Sequence, residues 1–306
     1  MEYFDTQVNG YAGVDFNSPE STPEQINQAA VALQKHGVGT AFPTVITASE
    51  PEMQACIANI VNSIKDFEAA QGLFKGLHLE GPFISREPGY VGAHPQRHAI
   101  DADTALLARL CDACGDYLAI VTLAPEVDLQ GELTEHVTQR GARVAAGHTD
   151  AGLADLDRCI EHGLSLFTHL GNGCPRMMDR HDNIIYRALS RIDQLHISLI
   201  ADGHHVPEML FRRLLEWLPN DRLFVVSDCI CAGGLGPGTY RLGEREVTVG
   251  DDLAARDASG EHFVGAAAGM REVEAWLRSS LNLPQQTTTD LLAKTANRLF
   301  ASILAR

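Results

Sequence analysis

Short apolar segments alternate with longer segments of helical periodicity along almost the whole chain. The apolar segments are rich in β-branched and aromatic residues, which favour strands. Strands that alternate with helices are typical of parallel βαβ units. We therefore predict eight parallel strands: Phe4–Val8, Val38–Phe42, Phe74–Leu79, Leu118–Leu123, Arg143–Ala146, Leu166–Thr168, Ile197–Ala201 and Leu223–Ser227.

Capping residues mark several of the helices between these strands. Thr22 and Pro23 predict an N-cap followed by proline in the first helical turn, and Gly37 follows the expected end of that helix. Ser49 opens the next helix. The Gly-rich stretch from 232 to 250 predicts a long loop with a small hairpin. Two further helices are expected near 266–281 and 289–304.

Polar residues follow the predicted strands at their carboxyl ends, and this decides between two architectures. A doubly wound open sheet would spread these ends apart, whereas a closed barrel brings them to one mouth. We therefore predict an α/β fold of the (β/α)8 TIM-barrel type, with residues 1–306 forming a single domain. The polar residues in question are Asn9, Glu80, His148, His169, His205 and Asp228.

Composition narrows the class of partner. The chain has 306 residues, 45% of them hydrophobic and 21% charged, with a formal net charge of -16. Such an acidic surface repels polyanions, and no cluster of lysine or arginine offsets it, so we expect no nucleic-acid partner. No apolar segment approaches the roughly 20 residues of a membrane helix, so we expect no membrane partner either.

The number of cysteines and the N-terminal sequence indicate the cellular compartment. Seven cysteines, an odd number, occur in a chain whose N-terminus has no basic region and no apolar run. We therefore expect no signal peptide, reduced thiols and a cytoplasmic protein. Cys111 and Cys114 form a single CxxC motif inside a predicted helix, and without a second pair nearby a zinc or redox role is disfavoured.

Three candidate metal ligands are Glu80, His148 and His169. A glutamate at a strand end is, by itself, more often part of a salt bridge, and a single histidine is more often hydrogen-bonded in the core. Two imidazoles at neighbouring strand ends and a carboxylate two strands away favour a catalytic divalent metal, because they leave a coordination position open for water. We predict that the three bind one ion.

Asp228 ends the last predicted strand. It could form a salt bridge or cap a helix, but beside a metal ion it could act as a general base toward water and then as an acid toward a leaving amine. We prefer the second interpretation.

Six ordered sequence blocks resemble those of the N-acetylglucosamine-6-phosphate deacetylases, a family of the amidohydrolase superfamily. The resemblance extends from near the first residue to about Ala301. The blocks are Asp5–Gly10, His78–Phe83, Ala146–Ala151, Thr168–Asn172, Ile200–Val206 and Val226–Asp228.

The resemblance implies a role for each matching residue. Glu80, His148 and His169 fall on the metal ligands, and Asp228 falls on the catalytic aspartate. His94 matches a histidine that helps polarise the acyl oxygen. Residues that meet the sugar or its phosphate are matched by Asn172, Gly173, Arg180 and His205. From the residues alone, His94 could be a surface histidine, one ring of the His204–His205 pair could be solvated, and Arg180 could pair with Asp179 or Asp182.

Departures from the family pattern refine these expectations. Gln7 and Asn9 stand where many amidohydrolases have His-x-His, and amides are poor ligands for a zinc-like ion, so we expect one divalent ion per subunit. Zinc is the first expectation, and iron, cobalt or manganese would also suit. Asn172-Gly173-Cys174 replaces the family's Asn-Ala-Met, and Gly171 replaces a larger residue, so the sugar pocket is expected to differ.

The family's small β-sandwich domain has no counterpart in this sequence, so we expect a barrel without it and consider a homodimer possible. The implied reaction is removal of the N-acetyl group from an amino-sugar phosphate, with N-acetylglucosamine 6-phosphate giving glucosamine 6-phosphate and acetate. Two alternatives stay open. One is an amidohydrolase acting on a different N-acyl amino sugar or a cyclic amide, and the other is a catalytically silent sugar-binding barrel.

Overall fold

Eight parallel strands form the centre of the molecule in this computed structural model, which describes residues 2–219, 221–242, 245–260 and 263–306. Each strand pairs with the next in sequence order. The strands are β1 (Tyr3–Val8), β2 (Val38–Ile46), β3 (Leu77–Glu80), β4 (Leu118–Leu123), β5 (Arg143–Ala146), β6 (Leu164–Phe167), β7 (His196–Ile200) and β8 (Leu223–Val226).

Hydrogen bonds just beyond the end of β8 bring the sheet back to its first strand. The Asp228 N–H donates to the Gln7 carbonyl at 3.0 Å, and the Asn9 N–H donates to the Cys229 carbonyl at 2.8 Å. The sheet is therefore a nearly closed barrel, and the predicted (β/α)8 architecture is confirmed. Closure gathers the carboxyl ends of the strands at one mouth.

Helices connect the strands and cover the barrel. Thr22 caps α1 through a capping box with Gln25, and Gly37, at a φ of 89°, follows the helix, as the sequence predicts. The helices are α1 (Pro23–Lys35), α2 (Glu50–Asp66), α3 (Glu68–Leu73), α4 (Thr104–Cys114), α5 (Glu132–Gln139), α6 (Leu153–Glu161), α7 (Ile184–Leu189), α8 (Glu208–Trp217), α9 (Met270–Ser279), α10 (Gln285–Thr289), α11 (Thr295–Leu299) and α12 (Ala301–Leu304). No helix in the described part of the chain has the length and apolarity needed to cross a bilayer.

Three phenylalanine rings close the end of the barrel opposite the mouth. Phe4 on β1 and Phe42 on β2 contact each other edge to face at 5.0 Å between centroids. Phe300, between α11 and α12, packs on Phe42 at 5.2 Å, and all three rings are buried. The C-terminal helices therefore supply the floor of the barrel interior, which leaves the opposite end available for a site.

Several predicted boundaries are wrong. The helix expected from 266 begins at Met270, because Ala266 lies extended and exchanges backbone hydrogen bonds with Asp228 and Ile230. The helix expected from 289 begins at Gln285 and contains a π-helical turn, Asp290–Lys294. The predicted hairpin is confirmed as part of a three-stranded antiparallel sheet formed by Gly238–Leu242, Arg245–Val249 and Ala255–Arg256.

Candidate metal centre and active site

The backbone turns into the left-handed region at three of the strand ends that carry polar side chains. His148, His169 and Asp228 are each the second residue beyond a strand, and their φ angles are 52°, 33° and 50°. Residues with a side chain rarely adopt this region, because Cβ crowds the backbone. Such outliers concentrate at functional sites, where the surrounding structure enforces them.

Glu80, His148 and His169 come together at the barrel mouth, as the sequence predicts. One oxygen of Glu80, Oε1, lies 3.2 Å from His148 Nε2 and 2.8 Å from His169 Nε2. The candidate ligand atoms of the three residues all lie within 4.8 Å of one another, and all three side chains are buried. The group is therefore able to hold a metal ion.

A backbone carbonyl fixes the orientation of one imidazole. His148 Nδ1 lies 2.9 Å from the Tyr90 carbonyl, which can only accept, so Nδ1 carries a proton and donates it. The other ring nitrogen, Nε2, points at Glu80. Metal-binding histidines commonly have this arrangement, because the outer hydrogen bond directs the second nitrogen toward the ion. Buried donors of this chemistry fit a divalent cation.

The charges of Glu80, His148 and His169, the metal trio, also fit a divalent cation. Burial alone would raise the pKa of Glu80, but hydrogen bonds from His148 and His169 outweigh it and hold the pKa well below the usual range. Burial lowers the pKa of His169, but its hydrogen bond and charge interaction with Glu80 reverse this and raise it. The carboxylate is therefore ionised and attracts positive charge to this point, whether protons or a metal.

His94 is buried in the same site, which decides against the alternative of a surface histidine. Its ring lies 4.2 Å from the ring of His148, and Nε2 is 3.9 Å from Glu80 Oε2. The His94 side chain is thus close enough to the trio to reach a substrate bound there.

Asp228 faces the site from the end of β8. Its Oδ1 accepts a hydrogen bond from Asn9 Nδ2 at 2.6 Å. Burial raises the pKa of Asp228 to about 6, although the nearby His169 opposes the shift. The carboxyl is therefore ionised at neutral pH but close to the range where it can exchange a proton, as a general base requires.

A cavity of about 710 Å³ opens over these residues. Its size is within the ~300–1,000 Å³ range of small-molecule sites. Five of the predicted catalytic and sugar-binding residues line it: Asn172, Gly173, His205, His94 and Asp228. The cavity also extends past the metal trio toward β2, where Ala48, Met53 and Cys56 form part of its wall.

Arg180 does not line this cavity. Its side chain is exposed, on a loop where Met177 is 89% exposed. The suggested pairing of Arg180 with Asp179 or Asp182 is wrong for the described residues, because Asp182 pairs with Arg187 and Asp179 accepts backbone N–H groups. Arg97 is the one arginine or lysine that lines the cavity among the described residues.

The imidazoles of His204 and His205 point to different partners. His205 lines the cavity, and its Nδ1 lies 2.7 Å from Asp202 Oδ2. His204 instead reaches the Asp252 carbonyl with Nε2 at 2.9 Å. The ring of Phe263 packs on His205 at 4.9 Å between centroids and also lines the cavity.

Four contacts of the site were not anticipated. Gln7 donates from Nε2 to Glu80 Oε1 at 3.1 Å, and Asn9 holds Asp228. The position of Gln7 and Asn9 at the end of the first strand could have indicated these contacts, since closure of the barrel brings β1 next to β8. Asp202 lies three residues before His205, a spacing that allows the observed hydrogen bond. No sequence signal pointed to Phe263.

No model of a known protein family matches the chain. Curated proteins do match. N-acetylglucosamine-6-phosphate deacetylase of Mus musculus is 34% identical over 277 residues, which is 88% of this chain and 66% of the mouse protein. N-acetylgalactosamine-6-phosphate deacetylase of Escherichia coli O157:H7 is 29% identical over 291 residues, 95% of this chain and 74% of that protein. The chain thus spans about two thirds of the length of its mammalian relatives.

Solved structures agree with the barrel. A mutant N-acetyl-D-glucosamine-6-phosphate deacetylase from Mycobacterium smegmatis, in complex with N-acetyl-D-glucosamine-6-phosphate, superposes with a TM-score of 0.85. The two sequences are 26% identical, and the match covers 98% of this chain and 77% of the mycobacterial one. The resemblance in the six sequence blocks is therefore accompanied by a resemblance of the whole barrel.

Proposed function

The chain belongs to the N-acetylglucosamine-6-phosphate deacetylase family of the amidohydrolase superfamily, and on this basis we propose that it hydrolyses the N-acetyl amide of an amino-sugar phosphate. The preferred substrate is N-acetylglucosamine 6-phosphate, which gives glucosamine 6-phosphate and acetate. The observation that carries the proposal is the meeting of Glu80, His148 and His169 beside an ionisable Asp228 at the barrel mouth.

Glu80, His148 and His169 are the residues that would hold one divalent ion per subunit, with zinc as the first candidate and iron, cobalt or manganese as others. A bound divalent cation supplies Lewis-acid chemistry, because it polarises a carbonyl oxygen and makes water more acidic. Gln7 and Asn9, at the positions of a possible second site, direct their amide donors at Glu80 and Asp228. Those hydrogen bonds support a single ion.

Asp228 moves the proton. Its carboxylate takes a proton from the attacking water as the water oxygen bonds to the acyl carbon. It then delivers that proton to the nitrogen as the C–N bond breaks, so that the amine and acetate leave. His94 donates a hydrogen bond to the acyl oxygen as charge develops on it, a contribution of about 3 kcal/mol at comparable sites.

The sugar and its phosphate lie toward β6 and β7, where Asn172, Gly173 and His205 line the cavity. Because Arg180 is exposed and outside its own cavity, we propose that it reaches the phosphate in a neighbouring copy of the chain, within a homodimer. All seven cysteines are free thiols, which supports a cytoplasmic location.

The direct test is release of acetate from N-acetylglucosamine 6-phosphate by the metal-loaded protein. We expect turnover that a chelator abolishes and that the added metal restores. Absence of turnover with every N-acetylated hexosamine 6-phosphate, in protein shown to contain metal, would reject the proposal and favour a silent sugar-binding barrel.

A second candidate substrate is N-acetylgalactosamine 6-phosphate. The relative from Escherichia coli O157:H7 bears that name and matches 95% of this chain. The loop from Gly171 to Cys174, which contains Asn172 and Gly173 of the proposed sugar site, also departs from the family pattern. Comparing kcat/KM for the two sugar phosphates decides between them, since they differ only in the configuration of one hydroxyl.

A further inference from the structure

We propose that Asp202 is a positioning residue that holds His205 with its Nε2 directed at the phosphate of the substrate. The inference rests on the proposed function, because it assigns the phosphate of an amino-sugar phosphate to the His205 side of the cavity. It adds a residue that does not itself line the cavity and acts through the imidazole it holds.

The Asp202 carboxylate is buried, and both of its oxygens have hydrogen-bond partners. Its side chain has 0% exposure. Oδ1 accepts the backbone N–H groups of His204 and His205, each at 2.9 Å, and Oδ2 faces His205 Nδ1 at 2.7 Å. Three donors around one carboxylate favour its ionised form, and the pKa of Asp202 is lowered although burial opposes this. An ionised carboxylate only accepts, so Nδ1 of His205 carries the proton.

The ring of His205 is therefore constrained from two sides. The hydrogen bond to Asp202 fixes the edge that carries Nδ1, and Phe263 packs against the ring at 4.9 Å with an interplanar angle of 41°. The opposite edge of the ring carries Nε2. His205 lines the cavity, although its side chain is only 7% exposed.

The imidazole of His205, held in this way, suits a phosphate in this particular cavity. The chain carries a net charge of -16, and Arg97 is the only arginine or lysine among the described cavity-lining residues. Arg97 lies after β3, and β3 is diametrically opposite β7 in an eight-stranded barrel whose order follows the sequence. On the β7 side the imidazole of His205, held by Asp202, is the polar side chain that we propose for the phosphate, and hydrogen bonds to a charged group are the strong ones.

The neighbouring histidine shows that the arrangement is specific to His205. His204 has the same side chain and lies one residue away, and its backbone N–H donates to Asp202 Oδ1 as that of His205 does. Its imidazole nevertheless points to the Asp252 carbonyl and does not line the cavity. The carboxylate of Asp202 thus selects one of two adjacent rings for the site.

The test is a double-mutant cycle of Asp202→Asn and His205→Ala in the metal-loaded protein. Asparagine keeps the shape and the Oδ1 acceptor but removes the charge. We expect Asp202→Asn to raise KM for N-acetylglucosamine 6-phosphate about ten- to a hundredfold, by analogy with the hydrogen-bond partners that orient metal-binding histidines, with little change in kcat. In the His205→Ala background the same change should add less than about twofold, because the two residues act as one unit.

Asp128→Asn is the matched control. Asp128 is buried and accepts three hydrogen bonds at the start of α5, but it lies outside the cavity. We expect this control to lower the melting temperature without changing KM. If Asp202→Asn behaves like the control, or if its effect on KM adds fully to that of His205→Ala, the proposal is wrong.

Two measurements keep the inference separate from the reaction and from failure of a variant to fold. Calorimetric binding of inorganic phosphate should weaken in Asp202→Asn and His205→Ala and stay unchanged in Asp128→Asn, whether or not any sugar is turned over. Nitrogen NMR of the parent protein should show Nδ1 of His205 protonated. A parent that binds no phosphate, or a His205 protonated only at Nε2, overturns the inference. Failure of turnover with intact phosphate binding rejects only the proposed substrate.

Discussion

Asn9 donates a hydrogen bond from Nδ2 to Oδ1 of Asp228 over 2.6 Å, and so links the first strand of the barrel to the last. The bond uses Oδ1 of Asp228 and not Oδ2. Because the two residues are 219 positions apart, the orientation of the Asp228 carboxylate, the proposed base, depends directly on closure of the sheet.

We expect Asn9→Ala to lower kcat about ten- to a hundredfold, because Asp228 loses the donor that orients it, while bound metal is retained. Steady-state kinetics and metal analysis of the same preparation would check this. Asn59→Ala is the control, since Asn59 donates to the Pro19 carbonyl at the surface. Loss of metal together with kcat would show that Asn9 supports the metal centre and not the carboxylate alone.

Asp228→Asn should reduce kcat about a hundred- to ten-thousandfold, because the variant cannot take or return a proton. Asparagine tolerates the left-handed backbone at this position better than most residues, so the fold should survive. Metal content and the melting temperature serve as controls. Turnover close to that of the parent would remove Asp228 from the mechanism.

Metal analysis should find one divalent ion per chain. Glu80→Gln should bind it much more weakly, since the variant removes the negative charge that lies beside both histidines. Activity should return on addition of excess metal to the chelated parent protein. Two ions per chain would contradict the argument from Gln7 and Asn9, whose amides are used as donors to carboxylates.

Arg180→Ala and Asp228→Asn should each be nearly inactive alone but recover part of the activity when unfolded together and refolded as a mixture. In a mixed dimer, the Arg180→Ala chain keeps its own Asp228 and receives Arg180 from its partner. Sedimentation of the parent should show a dimer. If the mixture stays inactive, or if the parent is a monomer, Arg180 does not act across an interface.

Asp5→Asn should stabilise the protein at alkaline pH. Burial raises the pKa of Asp5 from its usual value near 3.8 to about 7, against the opposing hydrogen bonds from Ser227 and Gln7. Because the folded state holds the proton more tightly, this group's contribution to stability is complete below about pH 4 and is lost as the pH rises through about 7. The neutral asparagine avoids that loss and keeps the Oδ1 acceptor.

Thermal unfolding between about pH 5 and about pH 8 checks this, with an expected advantage of about 1–3 kcal/mol at the upper end, since each unit of pKa shift corresponds to about 1.4 kcal/mol and the new amide leaves a donor unpaired. Asp116→Asn, at an exposed position, is the control. An advantage of Asp5→Asn that does not change with pH would contradict the assigned cause.

The barrel and the meeting of its three candidate metal ligands could be predicted from the sequence because both follow from local patterns. Strand and helix periods repeat eight times, and Glu80, His148 and His169 each follow an apolar strand. The boundaries were less accurate where tertiary contacts decide them. β2 continues to Ile46 although Pro43 interrupts the strand pattern, since Val8 of β1 pairs there in parallel.

The contacts between distant residues could not be predicted in the same way. Hydrogen bonds from Gln7 to Glu80 and from Asn9 to Asp228 exist only once strands far apart in sequence are neighbours. Phe263 reaches His205 from a loop that has no regular pattern. The placement of Arg180 outside the cavity likewise depends on a loop conformation that no periodicity describes.

The left-handed backbone at His148, His169 and Asp228 lowers the stability of the fold at residues of the candidate site. Each of these residues costs about 1–3 kcal/mol of strain, which the rest of the fold must offset. Glycine at any of the three would relax the chain and remove a side chain to which the proposed chemistry is assigned. A search for heat-resistant variants of this barrel that ignores turnover is therefore expected to converge on these three positions and to yield sturdier proteins without activity.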